Sequence, residues 1–423
     1  MKQNLKKQRF TAAALTLLMT GSLFLSGCSH SSRAVDLMKD VKASDVQTDN
    51  ALTEEALFSS TDFAVRLLKE SMTDKENLLI SPLSLELALT MTANGAVGDT
   101  LAQMEQTLGL PTGKLNPYLH AYTKQLANDE QAALHLANSI WLKEDKKLTV
   151  KPDFLQTNAD YFQAGIYKAP FDTSTVDAIN DWTSEHTKEM IPTLLDKIPD
   201  EAVMYLVNAL AFEADWEVPY TEDKVEQGTF TREDGTTEEV EYLHSSESEY
   251  LKDGQASGFL KYYANGDYAF AALLPDDGIS IDDYITSLTG EQLRNLLTNS
   301  EPTTVEASIP KFEADFDQNM SETFQHMGMT DAFDYKRADF AKLGHYEGRN
   351  ICIERVLHKT HISVTEQGTK AGAASAAEMT AKMSMIPPEE IKTIRLDRPF
   401  LYMIIDCHTS TPVFLGVLHT TGC

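Results

Sequence analysis

The sequence predicts an α+β protein organised as one large domain. Three observations carry that reading. Helical periodicity concentrates early in the chain, β-branched and aromatic runs concentrate late, and no Gly-, Pro- or Ser-rich linker divides the chain after residue 51. With 423 residues, 42% of them hydrophobic, the chain is long and apolar enough to bury one large core, and nothing in it points to disorder or to several membrane spans. Its formal charge of -28 argues against a nucleic-acid partner, because a phosphate-binding surface needs clustered Lys and Arg.

Taken in order, the first element is an export signal. Lys2, Lys6, Lys7 and Arg9 form a basic region, and the apolar run from Phe10 to Leu25 is short for a spanning helix. It ends in Leu25-Ser26-Gly27-Cys28, which resembles the lipobox of bacterial lipoproteins. That resemblance implies a signal peptide over 1–27, lipidation of Cys28, and a protein held at a membrane surface facing away from the cytoplasm, or shed from it. An ordinary signal peptide or an uncleaved anchor is the alternative. Residues 28–50, polar and aperiodic, read as a tether.

From Ala51 the pattern turns regular. Phe58, Phe63, Ala64, Leu67 and Leu68 recur at helical spacing, and Ser81 or Ser84 is positioned to cap a second helix that continues through Leu85, Leu87, Ala88, Leu89 and Met91. Strand-like runs fall at 134–142, 203–212, 268–274, 351–364 and 400–418. Helical stretches lie between them at 152–164, 177–190, 280–298 and 317–328.

Catalytic and metal motifs are missing. There is no G-x-S-x-G elbow, H-E-x-x-H, P-loop or G-x-G-x-x-G, so an enzyme would have no candidate centre. His358 and His361 are three apart on a predicted strand, which sends their side chains to opposite faces and makes a poor metal site. Apart from Cys28, the cysteines are Cys352, Cys407 and Cys423, an odd number without CxxC spacing; separate thiols or one pair both remain open.

The informative segment begins at Glu366-Gln367-Gly368-Thr369 and continues Lys370-Ala371-Gly372-Ala373-Ala374-Ser375-Ala376-Ala377-Glu378. An Ala-rich run reads first as helix. Its parity suggests a strand instead. Positions 369, 371, 373, 375 and 377 are Thr, Ala, Ala, Ser and Ala, whereas Lys370, Glu378 and Lys382 all occupy the alternate set. In a strand one face would carry only small residues and the other every charge, so the segment could enter a sheet without a steric or desolvation penalty. No proline interrupts the backbone donors before Pro387.

Glu366-x-Gly368-Thr369 followed by small residues resembles the hinge of the reactive loop of serpins, the serine protease inhibitor family. Asn77 through Ser84, Ala137-Asn138-Ser139-Ile140-Trp141, Ile179-Asn180-Asp181-Trp182, Leu206-Val207-Asn208-Ala209 through Phe212 and Trp216, Leu274-Pro275-Asp276-Asp277-Gly278, Ile309-Pro310-Lys311-Phe312, Arg398-Pro399-Phe400 and Pro412 through Gly416 resemble further motifs of that family in the expected order. The resemblance spans about 55–420. It implies a serpin fold over 51–423: large, mainly antiparallel sheets, eight to nine helices and an exposed reactive-centre loop over about 366–397. It further implies a hinge at Glu366, Gly368, Thr369, Ala371, Ala373, Ala374 and Ser375, a polar shutter of Ser81, Ser84, Asn208 and His358, and Trp216 at the breach where the loop enters.

Two departures from the family's pattern stand out. Glu213 and Ala214 follow Phe212 where a basic residue and Gly are usual, and Lys370 follows Thr369 where an acid is common. The implied function is suicide inhibition of a serine protease, with no cofactor or metal and with the chain acting as a monomer. The family's usual spacing from Glu366 makes Lys382-Met383 the cleaved bond and a trypsin-like enzyme the target. Met383-Ser384, followed by Ile386-Pro387-Pro388-Glu389, resembles instead the reactive centre of elastase-directed members. A serpin-fold surface lipoprotein that binds without inhibiting is the competing function.

Overall fold

The computed structural model describes residues 34–73, 75–126, 132–199, 201–369 and 391–422. The chain runs β1 (Val35–Asp36), α1 (Glu54–Ser71), β2 (Leu78–Ile80), α2 (Pro82–Ala93), α3 (Gly98–Leu108), α4 (Thr112–Gln125), β3 (Ala132–Lys143), β4 (Leu148–Val150), α5 (Pro152–Phe162), β5 (Gly165–Ala169) and α6 (Thr173–His186). It continues through β6 (Met204–Asp215), β7 (Val225–Thr231), β8 (Thr237–Lys252), β9 (Ala256–Tyr262), β10 (Tyr268–Pro275), α7 (Ile281–Ser287) and α8 (Gly290–Thr298). The last elements are β11 (Glu301–Pro310), β12 (Phe312–Asn319), α9 (Ser321–His326), β13 (Gly344–Tyr346), β14 (Arg355–Val364), β15 (Gly368–Thr369), β16 (Lys392–Arg395), β17 (Phe400–Asp406) and β18 (Thr411–Leu418).

Helix starts follow their caps. The Thr53 hydroxyl accepts from the Ala56 amide to open α1, with Glu54 and Glu55 in the first turn where the helix dipole favours anions. Ser81 caps α2, and Pro82 takes the first position, where its missing amide costs nothing. All twelve residues of α2 are buried, so its sequence has no polar stripe.

Two sheets sandwich the core. The seven-stranded sheet runs β1-β5-β3-β6-β15-β14-β12, and β6 also pairs β14 directly; the nine-stranded sheet runs β16-β11-β8-β9-β10-β17-β18-β2, with β7 against β8. The main core fills the space between the sheets, around Phe212, Tyr263, Tyr268 and Phe414. A second apolar cluster with Trp141, Ile179, Tyr205 and Leu357 lies where α6 covers the seven-stranded sheet. β6 is therefore packed on both faces, which explains its nearly unbroken apolar run.

Several expectations are redrawn. The helical stretch 280–298 is two helices, because Thr289 starts α8 with a reciprocal capping box to Gln292. Residues 317–319 finish strand β12: buried Phe312, Ala314 and Phe316 alternate with exposed Glu313, Asp315 and Asp317, a period of two that ends in exposed Gln318 and Asn319 before α9. Folded chain also begins before residue 51. β1 pairs β5, the Leu37 amide donates to the Ile166 carbonyl, and the Ser44 amide donates to Asp160. Two paired residues and a few side-chain contacts leave no periodic trace, so 34–50 read as tether.

Cys352 is buried and Cys407 half-buried, and each carries a free thiol.

Candidate functional site

The site is the seam between β6 and β14. The strands run parallel and pair from Tyr205 with Arg355 to Ala211 with His361. Beyond Ala211 they part, and β15 stands between them, antiparallel to both. Gly368 lies opposite Asp215, and Thr369 lies opposite Ala214 on one side and Val364 on the other. A Cβ at Gly368 would sit 2.0 Å from the Ala214 carbonyl oxygen and 2.8 Å from the Asp215 Cα, so only glycine fits there. Thr369 turns inward, 1% exposed, its hydroxyl 2.6 Å from that of Tyr263. Ala371, Ala373, Ala374 and Ser375 lie outside the described residues, as do Lys382, Met383 and Ser384 of the two candidate bonds, and Cys28.

Ser81, Ser84, Asn208 and His358 meet beneath the paired part of the seam, each with no exposed surface. The Ser81 amide donates to His358 Nε2 at 3.0 Å, which leaves the ring proton on Nδ1, and Nδ1 donates to Asn208 Oδ1. Ser84 Oγ donates to the same oxygen at 3.0 Å, and the Ser84 amide donates to Ser81 Oγ at 3.2 Å. Burial pulls the His358 imidazole down to about 3, so it is neutral at physiological pH. A fifth member was not assigned from sequence: Asn208 Nδ2 donates to Asn138 Oδ1, from the facing position on β3. Asn138 stood inside a recognised motif, but nothing in its neighbours marks it as the partner of a residue seventy positions away.

Trp216 sits where the seam opens, 1% exposed. Its amide donates to the Gln367 carbonyl and its indole Nε1 to the Thr365 carbonyl, both at 2.9 Å; the Tyr220 amide donates to the Glu366 carbonyl at 2.9 Å. The Trp216 and Tyr263 rings stack at 4.5 Å. Glu366 itself binds Lys311 Nζ at 2.8 Å, and the same ammonium reaches Glu241 at 2.8 Å. Partial burial raises the Glu366 carboxyl, but the Lys311 and backbone hydrogen bonds outweigh it, so the group titrates below its ordinary value. Lys311, Tyr220 and Tyr263 carried no role in the sequence reading.

This arrangement offers no nucleophile with an adjacent base, since both ring nitrogens of His358 are committed to hydrogen bonds. It offers a sheet held shut in its middle and wedged open at one end.

Residues 58–420 match the family model described as Serpin (serine protease inhibitor). The chain is 28% identical to human serpin B9 over 375 residues, covering 85% of this chain and 97% of that protein. It is likewise 28% identical to the leukocyte elastase inhibitor of Xenopus laevis, covering 80% of this chain and 92% of that protein. Among solved structures it resembles the thermophilic serpin tengpin in its native state, with 46% identity, a TM-score of 0.87, and coverage of 92% of this chain and 99% of that one.

Proposed function

The chain belongs to the serpin family, a family of protease inhibitors rather than catalysts, and from that premise we propose that it traps a serine protease by inserting its severed hinge along the β6–β14 seam. The observation that carries this reading is β15, whose two residues already stand between those strands. Continuing the two pairings without a shift takes Ala371 to Phe212 and Ile362, Ala373 to Leu210 and Thr360, and Ser375 to Asn208 and His358. The paired residues of β6 and β14 share this register, since Leu210 faces Thr360 and Asn208 faces His358. Thr369 faces the core, so the inserted face would be Ala371, Ala373, Ser375 and Ala377, all small enough to pass. The seven parallel pairs between β6 and β14 would give way to two antiparallel ladders. That gain in backbone pairing supports a native state that stores free energy.

The same register accounts for the two reversed charges, Glu213 and Lys370, among the departures from the family's pattern. Lys370 would enter opposite Glu213 on the outer face, so the two reversed charges form one complementary pair.

In the proposed reaction the protease serine attacks the carbonyl of the bait residue, the following amide nitrogen leaves with a proton, and an ester joins the two proteins. Insertion then pulls the protease away before water cleaves the ester. Loss of even one oxyanion donor in the distorted protease slows that step about 10²–10³-fold. We assign the bait to Lys382, with a trypsin-like target, or to Met383, with an elastase-like one. The chain would act as a monomer, anchored outside the cytoplasm by lipid on Cys28.

Incubation with trypsin and with neutrophil elastase, followed by denaturing gels, tests this. A complex that survives SDS is expected, and sequencing the released C-terminal fragment identifies the bond. Clean cleavage with no complex, and no rise in thermal stability of the cut protein, would instead indicate a binding protein on the same fold. Release of the protein from the membrane fraction by Cys28→Ala tests the anchor.

A further inference from the structure

We propose that Lys261 is the positioning residue of the breach, an internal cation that holds Trp216 and Tyr220 in place to grip the hinge. This rests on the insertion reading above. Lys261 belongs to β9 of the other sheet, yet its side chain is only 3% exposed, a rare state for lysine. Its ammonium lies 3.1 Å from Glu247 Oε1 on β8 and 3.5 Å from the Val218 carbonyl. It also stands over two aromatic rings, 4.5 Å from the centroid of Tyr220 and 5.2 Å from that of Trp216. Tyr263 covers one face of the Trp216 indole at an interplanar angle of 11°, which leaves the other for the ammonium.

The same two residues supply three donors to the hinge: the amide and indole of Trp216 to Gln367 and Thr365, and the amide of Tyr220 to Glu366. Lys261 is thus one side chain removed from each of those bonds, and it ties them to the nine-stranded sheet. Cation–π attraction strengthens when the cation is desolvated, as here, and the Glu247 carboxylate offsets the cost of burying the charge. The hinge is therefore held from two directions. Lys311 binds the Glu366 side chain from the surface, and Lys261 fixes its backbone partners from beneath.

The test uses the full chain and two variants. Lys261→Met combined with Glu247→Gln removes both charges, so that no carboxylate is left buried alone, and Lys261→Arg keeps a cation over the rings. In the double variant, amide hydrogen exchange at Trp216 and Tyr220 is expected to rise about tenfold, equivalent to about 1.4 kcal/mol, while exchange at Ser81 stays unchanged. Loss of inhibitory activity on standing at 37 °C should accelerate by a similar factor. The loop-cleaved form should melt as wild type does, and the arginine variant should behave as wild type throughout. Equal destabilisation of the intact and cleaved forms, with no selective change at Trp216 and Tyr220, would reduce Lys261 to an ordinary buried ion pair. If the wild type forms no protease complex, the inhibitor reading fails, and the exchange pattern still decides the role of Lys261.

Discussion

The two ends of the β6–β14 seam are built on opposite principles. At the shutter, seven residue pairs between two strands are backed by polar side chains from α2, β3, β6 and β14 that satisfy one another, all of them buried except half-buried Asn138. At the breach the ladder is interrupted by a glycine and a threonine, and stacked aromatic rings, the Tyr263–Thr369 hydroxyl pair and the Lys311–Glu366 ion pair line the opening. On the proposed insertion reading, resistance to opening is concentrated in the hydrogen bonds of the shutter, and readiness to open in the absence of a Cβ at Gly368. A sheet with uniform pairing would offer no preferred place for a strand to enter.

Four experiments break or sharpen that contrast. The largest effect is expected from Asn208→Ala, which removes the partner of the His358 Nδ1 proton and of the Asn138 carbonyl and leaves the Ser84 hydroxyl only the Ser81 carbonyl at 3.3 Å. It should cost about 3 kcal/mol or more in urea denaturation at neutral pH. A loss below about 1 kcal/mol would mean that the shutter is not the barrier. Next, Gly368→Ala places a methyl against the Ala214 carbonyl and should expel β15 at a cost of about 2 kcal/mol. Faster hydrogen exchange at Thr369, with Ser81 unaffected, would confirm that the wedge and the shutter are separable.

The third experiment uses pH, because α2 carries a second buried titratable group. Glu86 is 1% exposed, and its two oxygens share a single hydroxyl, that of Ser60. Burial pushes its carboxyl from 4.5 up to about 8, and the Ser60 hydrogen bond and the Arg66 charge counter it only in part. A raised folded value means stability that is whole below pH 4.5 and declines as pH rises to about 8. His358 has the opposite dependence: its folded value is lowered, so stability is whole above pH 6.5 and declines as pH falls toward 3. Glu86→Gln should therefore flatten the alkaline side of the stability profile, by up to about 1.4 kcal/mol per pH unit, and leave the acid side intact. A profile unchanged by the substitution would show that Glu86 titrates alike in the folded and unfolded chain, so that burial does not raise it. The smallest effect belongs to Glu366→Gln. That pair is one-third exposed and Lys311 keeps Glu241, so denaturation should register about 0.5 kcal/mol. A loss several times larger would move the native state's restraint from the shutter to the surface clamp.

Legibility in the sequence followed the range of each interaction. The alternation from Thr369 to Ala377 was visible because strand parity is written in adjacent residues, and Thr369 does face the core. The shutter quartet was reachable through motifs, since buried Ser, Asn and His need partners wherever they fall. Asn138, Lys311 and Lys261 were not reachable, because each acts through residues far along the chain; Asn138 and Lys261 are embedded in strands whose pattern reports only burial, and Lys311 stands alone between β11 and β12. The strand β1 escaped for a related reason, as two paired residues make no period.

Composition and ordered motifs by themselves determined the family and the α+β class, and the parity of small residues after Gly368 is written in the sequence. These are properties of residue type and local spacing, and they survive in an unfolded string. Only the tertiary structure decided that β6 and β14 part beyond Ala211, that one asparagine from β3 joins the polar cluster, and that a lysine from the opposite sheet stands over the Trp216 and Tyr220 rings. Each of these depends on which backbones approach within a few ångströms across long loops, and hydrogen bonds and cation–π contacts exist only once that approach is made.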